Sequence, residues 1–87
     1  MRRVLFFYAL WCRPCRFYES EFIKPLVEMV DRGKVVSVNA QDEPFTADKY
    51  LVDKLPTVIF LDGNKAVNRV TGALDIKGTA EWLKGGV

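Results

Sequence analysis

The sequence of 87 residues contains no histidine, and this absence excludes several kinds of active site. Nucleophilic sites of the Ser-His-Asp and Cys-His types cannot form, and no metal can be held by imidazole. Only two cysteines are present, Cys12 and Cys15, so one chain cannot supply the four thiolates of a structural zinc or iron–sulfur site. A metal bound by these cysteines would require a second chain or carboxylate ligands.

An excess of charge of one sign and long apolar runs are also lacking. The net charge is +2, from 13 basic and 11 acidic residues, and no five like charges occur in a row. Neither nucleic acid nor a membrane is therefore expected as a partner. No stretch approaches the ~18 apolar residues of a membrane span. Hydrophobic residues still make up 49% of the chain, so a core can form, and the length of 87 residues predicts one domain over residues 1–87.

The first residues, MRRVLFFYALW, combine two basic residues with an apolar run, as signal peptides do. The apolar run is short, no A-x-A-like site follows it, and both cysteines come directly after it. We therefore expect residues 4–10 to form a strand buried on both faces. Without an export signal, the expected compartment is the reducing cytoplasm, where an isolated CxxC pair is more often catalytic than structural.

Apolar residues at helical spacing follow this strand and predict a helix that begins near Arg13 or Pro14. Pro25 is expected to kink this helix or divide it at Lys24, and Gly33 is expected to end it.

The remaining elements follow from alternating apolar residues, turn residues and a capping residue. Asp75 is well placed to cap the last helix. Strands are predicted over residues 34–40, 57–61 and 65–71, a hairpin turn over 62–64, and helices over about 45–54 and 76–84. The order β-α-β-α-β-β-α predicts an α/β protein with a four-stranded mixed sheet and helices on both faces.

The stretch WCRPC, residues 11–15, carries the chemistry of the chain. Cys12 would lie between the first strand and the helix, where free N–H groups, the helix dipole and the charge of Arg13 favour the thiolate. Cys15, one turn later, could bring its sulfur to Cys12, and Pro14 would stiffen the turn between them. Such a pair suits a two-step exchange, in which Cys12 forms a mixed disulfide and Cys15 resolves it.

Two other interpretations of the pair are less specific. The cysteines could be inert and fall three apart by coincidence, or two chains could share a metal through four thiolates. A CxxC pair between an apolar strand and a helix, within a βαβ pattern, favours the catalytic dithiol.

Three separated stretches resemble the thioredoxin family. Residues 11–15 resemble its WCGPC motif, with Arg13 where glycine is usual. Residues 55–57, LPT, resemble its Ile-Pro-Thr, and residues 70–83 resemble its Val-Gly-Ala-Leu stretch and closing helix. The order of these stretches resembles the minimal thioredoxin fold, without the additional N-terminal strand and helix of the longer members.

The resemblance implies roles for residues outside the cysteine pair. Pro56 would be cis and would pack beside the active disulfide, presenting the backbone of Leu55 to a client peptide in the manner of a β-strand. Leu55, Pro56, Thr57 and Gly72 are accordingly expected to contact the substrate. Trp11 would cover the cysteines and form part of the docking face.

The sequence also departs from the family pattern. Phe6 occupies the position of a buried acid that is thought to take the proton of the second cysteine, and Ser37 occupies the position of that acid's usual lysine companion. Glu19 is a candidate substitute, although a surface role is favoured for it, and water could serve instead. Arg13 is expected to tune the reduction potential or the choice of partner.

The favoured function is a thiol–disulfide oxidoreductase that reduces protein disulfides and binds no cofactor itself. By family analogy, a flavin- and NADPH-dependent thioredoxin-reductase-type enzyme would recharge it, and its clients would be disulfide-containing proteins, with ribonucleotide reductase as one example. A monomer is expected.

Three alternatives are kept. A glutaredoxin-like, glutathione-dependent enzyme is disfavoured by the threonine after Pro56 and by a TGALD stretch without the usual glycine and aspartate pairs. A dithiol oxidase or isomerase would be expected to carry an export signal. A binding module without redox chemistry could use the same face, around Trp11, Pro56 and Gly72.

Overall fold

A four-stranded sheet forms the centre of the computed structural model, which describes residues 1–86. Its strands are β1 (Arg2–Tyr8), β2 (Val35–Asn39), β3 (Thr57–Asp62) and β4 (Lys65–Val70). They lie in the order β2-β1-β3-β4, with β1 parallel to β2 and antiparallel to β3, and with β3 antiparallel to β4. The predicted mixed sheet is confirmed.

The apolar run at the start of the chain becomes the central strand β1. Val4 and Phe6 contribute to one hydrophobic cluster, whereas Leu5 and Phe7 contribute to a second cluster on the opposite face of the sheet. Because β1 has a neighbouring strand on each side and a cluster on each face, it needs apolar residues at consecutive positions. This burial explains why the stretch reads as a continuous apolar run.

Four helices cover the two faces of the sheet. They are α1 (Arg13–Tyr18), α2 (Lys24–Met29), α3 (Pro44–Lys49) and α4 (Ile76–Leu83). The first cluster receives buried side chains from α1, α2 and α4, and the second cluster receives Ala47 from α3. The predicted fold, with helices on both faces, is therefore confirmed.

Pro25 divides the first helical run at Lys24, as predicted, and opens α2. The junction is a π-helical turn over Glu19–Ile23, in which the N–H of Lys24 donates to the carbonyl of Glu19. The sequence did not predict this wider turn. Pro25 has no N–H to continue an α-helical ladder, so the turn before it adopts a different hydrogen-bond spacing.

The prediction that Gly33 ends the helix is wrong. The helix ends at Met29, because Val30 already has extended backbone angles, and Gly33 lies in a separate 3₁₀ turn over Arg32–Lys34. The helix predicted over about 45–54 is also shorter, since α3 ends at Lys49 and Leu51 takes a positive φ of 54°.

The hairpin and the last helix agree with their sequence signals. Gly63 lies between β3 and β4 with φ of 63°, a conformation that glycine adopts without a steric cost. The carboxylate of Asp75 accepts a hydrogen bond from the N–H of Gly78 at 3.0 Å and so caps α4. Among residues 1–86, no helix has the length and apolar character to cross a bilayer.

Candidate active site

A tight turn after β1 places Cys12 at the start of α1. The N–H of Cys12 donates to the carbonyl of Ala9 at 3.1 Å, which closes the turn. Cys12 has extended backbone angles (φ −89°, ψ 102°), and its Sγ accepts a hydrogen bond from the N–H of Cys15 at 3.2 Å. The sulfur thus occupies the position at which a side-chain acceptor caps a helix.

Cys12 and Cys15 form a disulfide, with their Cα atoms 5.3 Å apart. The pair is nearly enclosed, since Cys12 is 4% exposed and Cys15 is 2% exposed. Both belong to the cluster between the sheet and helices α1, α2 and α4. The two cysteines of the motif are therefore bonded to each other, at the edge of the core and at the beginning of a helix.

The other residues of the motif lie at the surface around the disulfide. Arg13 is exposed, and the first turn of α1 contains no acidic residue to offset its charge. Pro14 lies in that first turn, where its missing N–H breaks no helical hydrogen bond. Trp11 is 69% exposed, so it is not a core aromatic residue. Arg16 holds the turn before Cys12 by donating to the carbonyl of Leu10 at 3.1 Å.

The Leu55–Pro56 peptide bond is cis, as the resemblance implied. Leu55 is half-buried and packs against both clusters, whereas Thr57 is almost completely buried at 1% exposure. The hydroxyl of Thr57 donates to the carbonyl of Lys54 at 2.6 Å. The hydroxyl of Thr57 is thus used within the chain, and the residue as a whole offers almost no exposed surface.

A groove of about 330 Å³ brings together three of the predicted site residues, Pro14, Pro56 and Gly72. Gly72 faces open space, because a Cβ at this position would meet no atom within 4 Å. The remaining lining residues are Phe17, Tyr18, Phe22, Thr71 and Ala73. Most of this lining is apolar, as suits a groove for a peptide segment.

Sequence reasoning missed the three aromatic residues of this groove, Phe17, Tyr18 and Phe22. The ring centroids of Tyr18 and Phe22, which are in contact, lie 4.7 Å apart. The available signal was their spacing of four residues, which places side chains next to each other on a helix. The spacing alone does not reveal which loop they face.

A second cavity, of about 130 Å³, lies directly beside Cys15. Its lining includes Phe6, Tyr8 and Glu19. Phe6 is 1% exposed and stacks on Tyr8, with ring centroids 5.7 Å apart. Ser37 pairs with Phe6 across β1 and β2 and is exposed. Among the described residues that line this cavity beside Cys15, Glu19 is the one with a carboxylate, and it is exposed to solvent.

Another groove of the described chain contains neither cysteine. It has a volume of about 470 Å³ and lies between β4 and α4, with Phe60, Val67 and Trp82 in its lining. Within residues 1–86, no three Cys, Asp or Glu side chains converge as metal ligands would. The chemistry of the described chain is therefore concentrated at the disulfide.

The fold and the site define an α/β protein with a CxxC disulfide at the start of a helix and an apolar groove beside it. A sequence model of the thioredoxin family matches residues 2–85, and the chain belongs to this family. The match extends over nearly the whole chain and includes every residue predicted for the site.

Individual relatives agree with this assignment. The chain is 34% identical over 82 residues to thioredoxin of Rhodospirillum rubrum, covering 93% of this chain and 78% of that protein. It is 37% identical over 68 residues to thioredoxin of Griffithsia pacifica, covering 78% of this chain but only 62% of that protein. The fold is similar to the reduced thioredoxin pre-protein of Schistosoma mansoni, with a TM-score of 0.78, 31% identity, and coverage of 99% of this chain and 79% of that one.

Proposed function

We propose that this protein is a thiol–disulfide oxidoreductase that reduces disulfides of client proteins. The observation that carries the proposal is the Cys12–Cys15 disulfide at the N-terminus of α1, beside an apolar groove. Membership of the thioredoxin family supports it. A reversible disulfide at a helix N-terminus is the arrangement that this chemistry requires.

The exchange proceeds in two steps from the reduced protein. The Cys12 thiolate attacks one sulfur of the client disulfide, the client S–S bond breaks, and its other sulfur leaves and takes up a proton. Cys15 then loses its proton and attacks the Cys12 sulfur, which releases the second client thiol and forms the Cys12–Cys15 disulfide. The client gains two electrons and two protons, and the dithiol loses them.

The surroundings of Cys12 support its role as the attacking sulfur. Its Sγ accepts the N–H of Cys15 at 3.2 Å, and in the reduced protein the same N–H would stabilise a thiolate. The exposed guanidinium of Arg13 adds positive charge without a carboxylate in the same turn. We propose that Arg13 also tunes the reduction potential or favours partners with acidic residues near the disulfide.

The proton of Cys15 would leave through the cavity of about 130 Å³ beside it. A cavity of this size can hold water, which could carry the proton outward. Glu19 lines the same cavity and is proposed as the acceptor. It would replace a buried acid, because position 6 holds a phenylalanine.

The groove of about 330 Å³ is proposed as the binding place of the client segment. Pro14, Pro56 and Gly72 line it, and the backbone of Leu55 precedes Pro56 at its edge. An extended client segment could pair with this backbone while its apolar side chains enter the groove. Trp11, 69% exposed, would extend the docking face.

The remaining proposals concern partners. We expect a thioredoxin-reductase-type flavoenzyme to supply electrons from NADPH, so that this chain needs no cofactor of its own. The clients would be disulfide-containing proteins, of which ribonucleotide reductase is one candidate by family analogy. The proposed compartment is the cytoplasm, and the proposed state is a monomer.

The proposal is tested by the catalysed reduction of insulin disulfides, with a thioredoxin reductase and NADPH or with dithiothreitol as donor. Wild-type protein should accelerate the reduction, whereas Cys12→Ser and the double serine variant should leave only the uncatalysed rate. Arg32→Met, an exposed substitution far along the chain, serves as the matched control. Failure of the wild-type protein to accelerate the reduction would contradict dithiol chemistry and leave the binding module as the function.

A redox titration separates a reductase from an oxidase or isomerase, with the fluorescence of Trp11 as the signal. A two-electron midpoint near the roughly −270 mV of thioredoxin supports a reductase. A midpoint near about −180 or −120 mV would instead indicate an isomerase or an oxidase. Absence of a reversible transition would contradict all three.

A further inference from the structure

Tyr18 is a buried side chain whose hydroxyl takes no part in the exchange chemistry. It is 5% exposed, and its hydroxyl donates to the carbonyl oxygen of Gly72 at 2.8 Å. Tyr18 lies one helical turn after Cys15, whereas Gly72 lies between β4 and α4, 54 residues later in the chain. The hydrogen bond therefore ties the helix that begins at the disulfide to a loop of the groove.

Two neighbouring rings hold the phenol in place. Tyr18 stacks on Phe6 with ring centroids 5.9 Å apart and planes 12° from parallel. On another side it contacts Phe22, at a centroid distance of 4.7 Å. Burial also raises the pKa of Tyr18 to about 12, so the hydroxyl stays protonated even at the alkaline pH, near 10, where an exposed tyrosine titrates. The position and the protonation of this group are both fixed.

The loop that receives the hydrogen bond has little else to hold it. Thr71, Gly72 and Ala73 are exposed and lie outside any helix or strand. Within residues 1–86, the bond from Tyr18 is the one side-chain hydrogen bond that reaches these three residues. All three line the groove of about 330 Å³, and Tyr18 lines it with them. The hydrogen bond from the Tyr18 hydroxyl therefore fixes the position of loop 71–73, which forms one wall of the groove.

We propose that Tyr18 is a positioning residue for the client: its hydroxyl holds Gly72 so that loop 71–73 forms a fixed wall of the docking groove. The inference rests on the proposed function, since only a client in the groove would sense this wall. A loop that is ordered before binding loses less conformational freedom when a client docks, which strengthens binding. The hydroxyl should thus affect client affinity and leave the reactivity of the cysteines unchanged.

Tyr18→Phe tests the inference, because it removes the hydroxyl and keeps the ring that contacts Phe6 and Phe22. Tyr50→Phe is the matched control, since Tyr50 packs against Phe7 on the other face of the sheet. Loss of one hydrogen bond should raise the KM for insulin about fivefold, with kcat unchanged. Reduction of the small disulfide 5,5′-dithiobis(2-nitrobenzoic acid) should proceed at the wild-type rate in both variants.

The outcomes separate this inference from the proposed function. If wild-type protein reduces neither disulfide, the proposed function fails. If it reduces both and Tyr18→Phe has an unchanged KM for insulin, only the positioning role fails. An equal loss with both substrates would also overturn that role, because it would place the effect on the cysteines or the fold.

A second measurement needs no variant. In wild-type protein, backbone NMR order parameters of Gly72 and Ala73 should be close to the ~0.85 of rigid backbone. Values below about 0.6 would overturn the inference even if the Tyr18→Phe variant could not be purified in folded form. Where that variant folds, its order parameters at these two residues should fall, and those of Tyr50→Phe should not.

Discussion

At the scale of single residues, Phe6 determines which groups near the disulfide could accept the proton of Cys15. It is 1% exposed and lies between the rings of Tyr8 and Tyr18, at centroid distances of 5.7 and 5.9 Å. The core side of Cys15 therefore offers aromatic rings and no carboxylate within the described residues. The proposed route for the proton of Cys15 therefore runs outward, through the cavity that Glu19 also lines.

Substitution of Glu19 tests this outward route. Glu19→Gln keeps the shape of the side chain and removes its capacity to accept a proton, so resolution of the mixed disulfide at neutral pH should slow several-fold. Acid quenching and mass spectrometry would measure the lifetime of the mixed disulfide. Glu21→Gln, an exposed substitution in the same π-helical turn, is the control. Identical lifetimes in the two variants would mean that water takes the proton directly.

Tyr18 gives the protein a specific sensitivity to alkaline pH. Burial raises its pKa to about 12, whereas an unfolded tyrosine titrates near 10. Between these values the unfolded chain loses a proton that the folded protein keeps, so unfolding becomes more favourable as the pH rises. From pH 9 to pH 11 the wild type should lose about 1 kcal/mol more free energy of unfolding than Tyr18→Phe. Urea denaturation at each pH measures the difference, and parallel curves would contradict the buried phenol.

At the scale of elements, the sequence was sufficient to predict the burial of β1 and the effect of Pro25 on the first helical run. A continuous apolar run predicted a strand buried on both faces, and Pro25 predicted the division of the first helical run at Lys24. The π-helical turn before Pro25 was not predictable, because a proline that interrupts the α-helical hydrogen bonds can also produce a simple kink.

The sequence predicted the end residues of strands and helices less accurately, and each error has a local cause. The first strand was predicted to reach residue 10 but ends at Tyr8, because the N–H of Cys12 closes a turn onto Ala9. Gly33 resembles a helix stop, yet the helix ends at Met29, where the chain becomes extended before the 3₁₀ turn. In both places a local change of backbone conformation ends the element before the predicted residue.

Arg2 ties the beginning of β1 to the end of α4. Its guanidinium donates to the carbonyls of Trp82 at 2.9 Å and Gly86 at 2.5 Å, and its Cζ lies 4.9 Å from the centre of the Trp82 ring. A cation at this place adds a hydrogen bond to the carbonyl of Trp82, which also accepts from the N–H of Gly85, and complements the helix dipole. The exposed ion pair with Asp62, at 3.8 Å, should add little.

Arg2→Met should lower the free energy of unfolding by about 2 kcal/mol, because it removes charge-assisted hydrogen bonds and keeps an apolar side chain. Arg32→Met, at an exposed position, should change it by less than about 0.5 kcal/mol. Chemical denaturation of the two variants measures both effects. Equal stability of the variants would show that the link between β1 and α4 contributes nothing.

At the scale of the whole molecule, the site is assembled from segments that are far apart in the chain. The disulfide lies at residues 12–15, the cis peptide bond at 55–56 and the loop at 71–73, and the sheet order β2-β1-β3-β4 places β1 next to β3. The three motif stretches predicted the cysteine pair, the cis peptide bond and Gly72, whereas residue 71 was predicted to belong to the preceding strand, which ends at Val70. The contribution of Tyr18 was not predictable, because it depends on a contact between α1 and a loop 54 residues away.

The most direct test of the account is to trap the mixed disulfide on one cysteine. Reduced Cys15→Ser, incubated with oxidised insulin, should accumulate one covalent adduct on Cys12, detected by mass spectrometry without reductant. Reduced Cys12→Ser should accumulate none, because the remaining sulfur, on Cys15, lacks the hydrogen bond from a helix N–H that would stabilise the Cys12 thiolate. Adducts on both variants at similar rates, or on neither, would contradict a reductase that begins its exchange at Cys12.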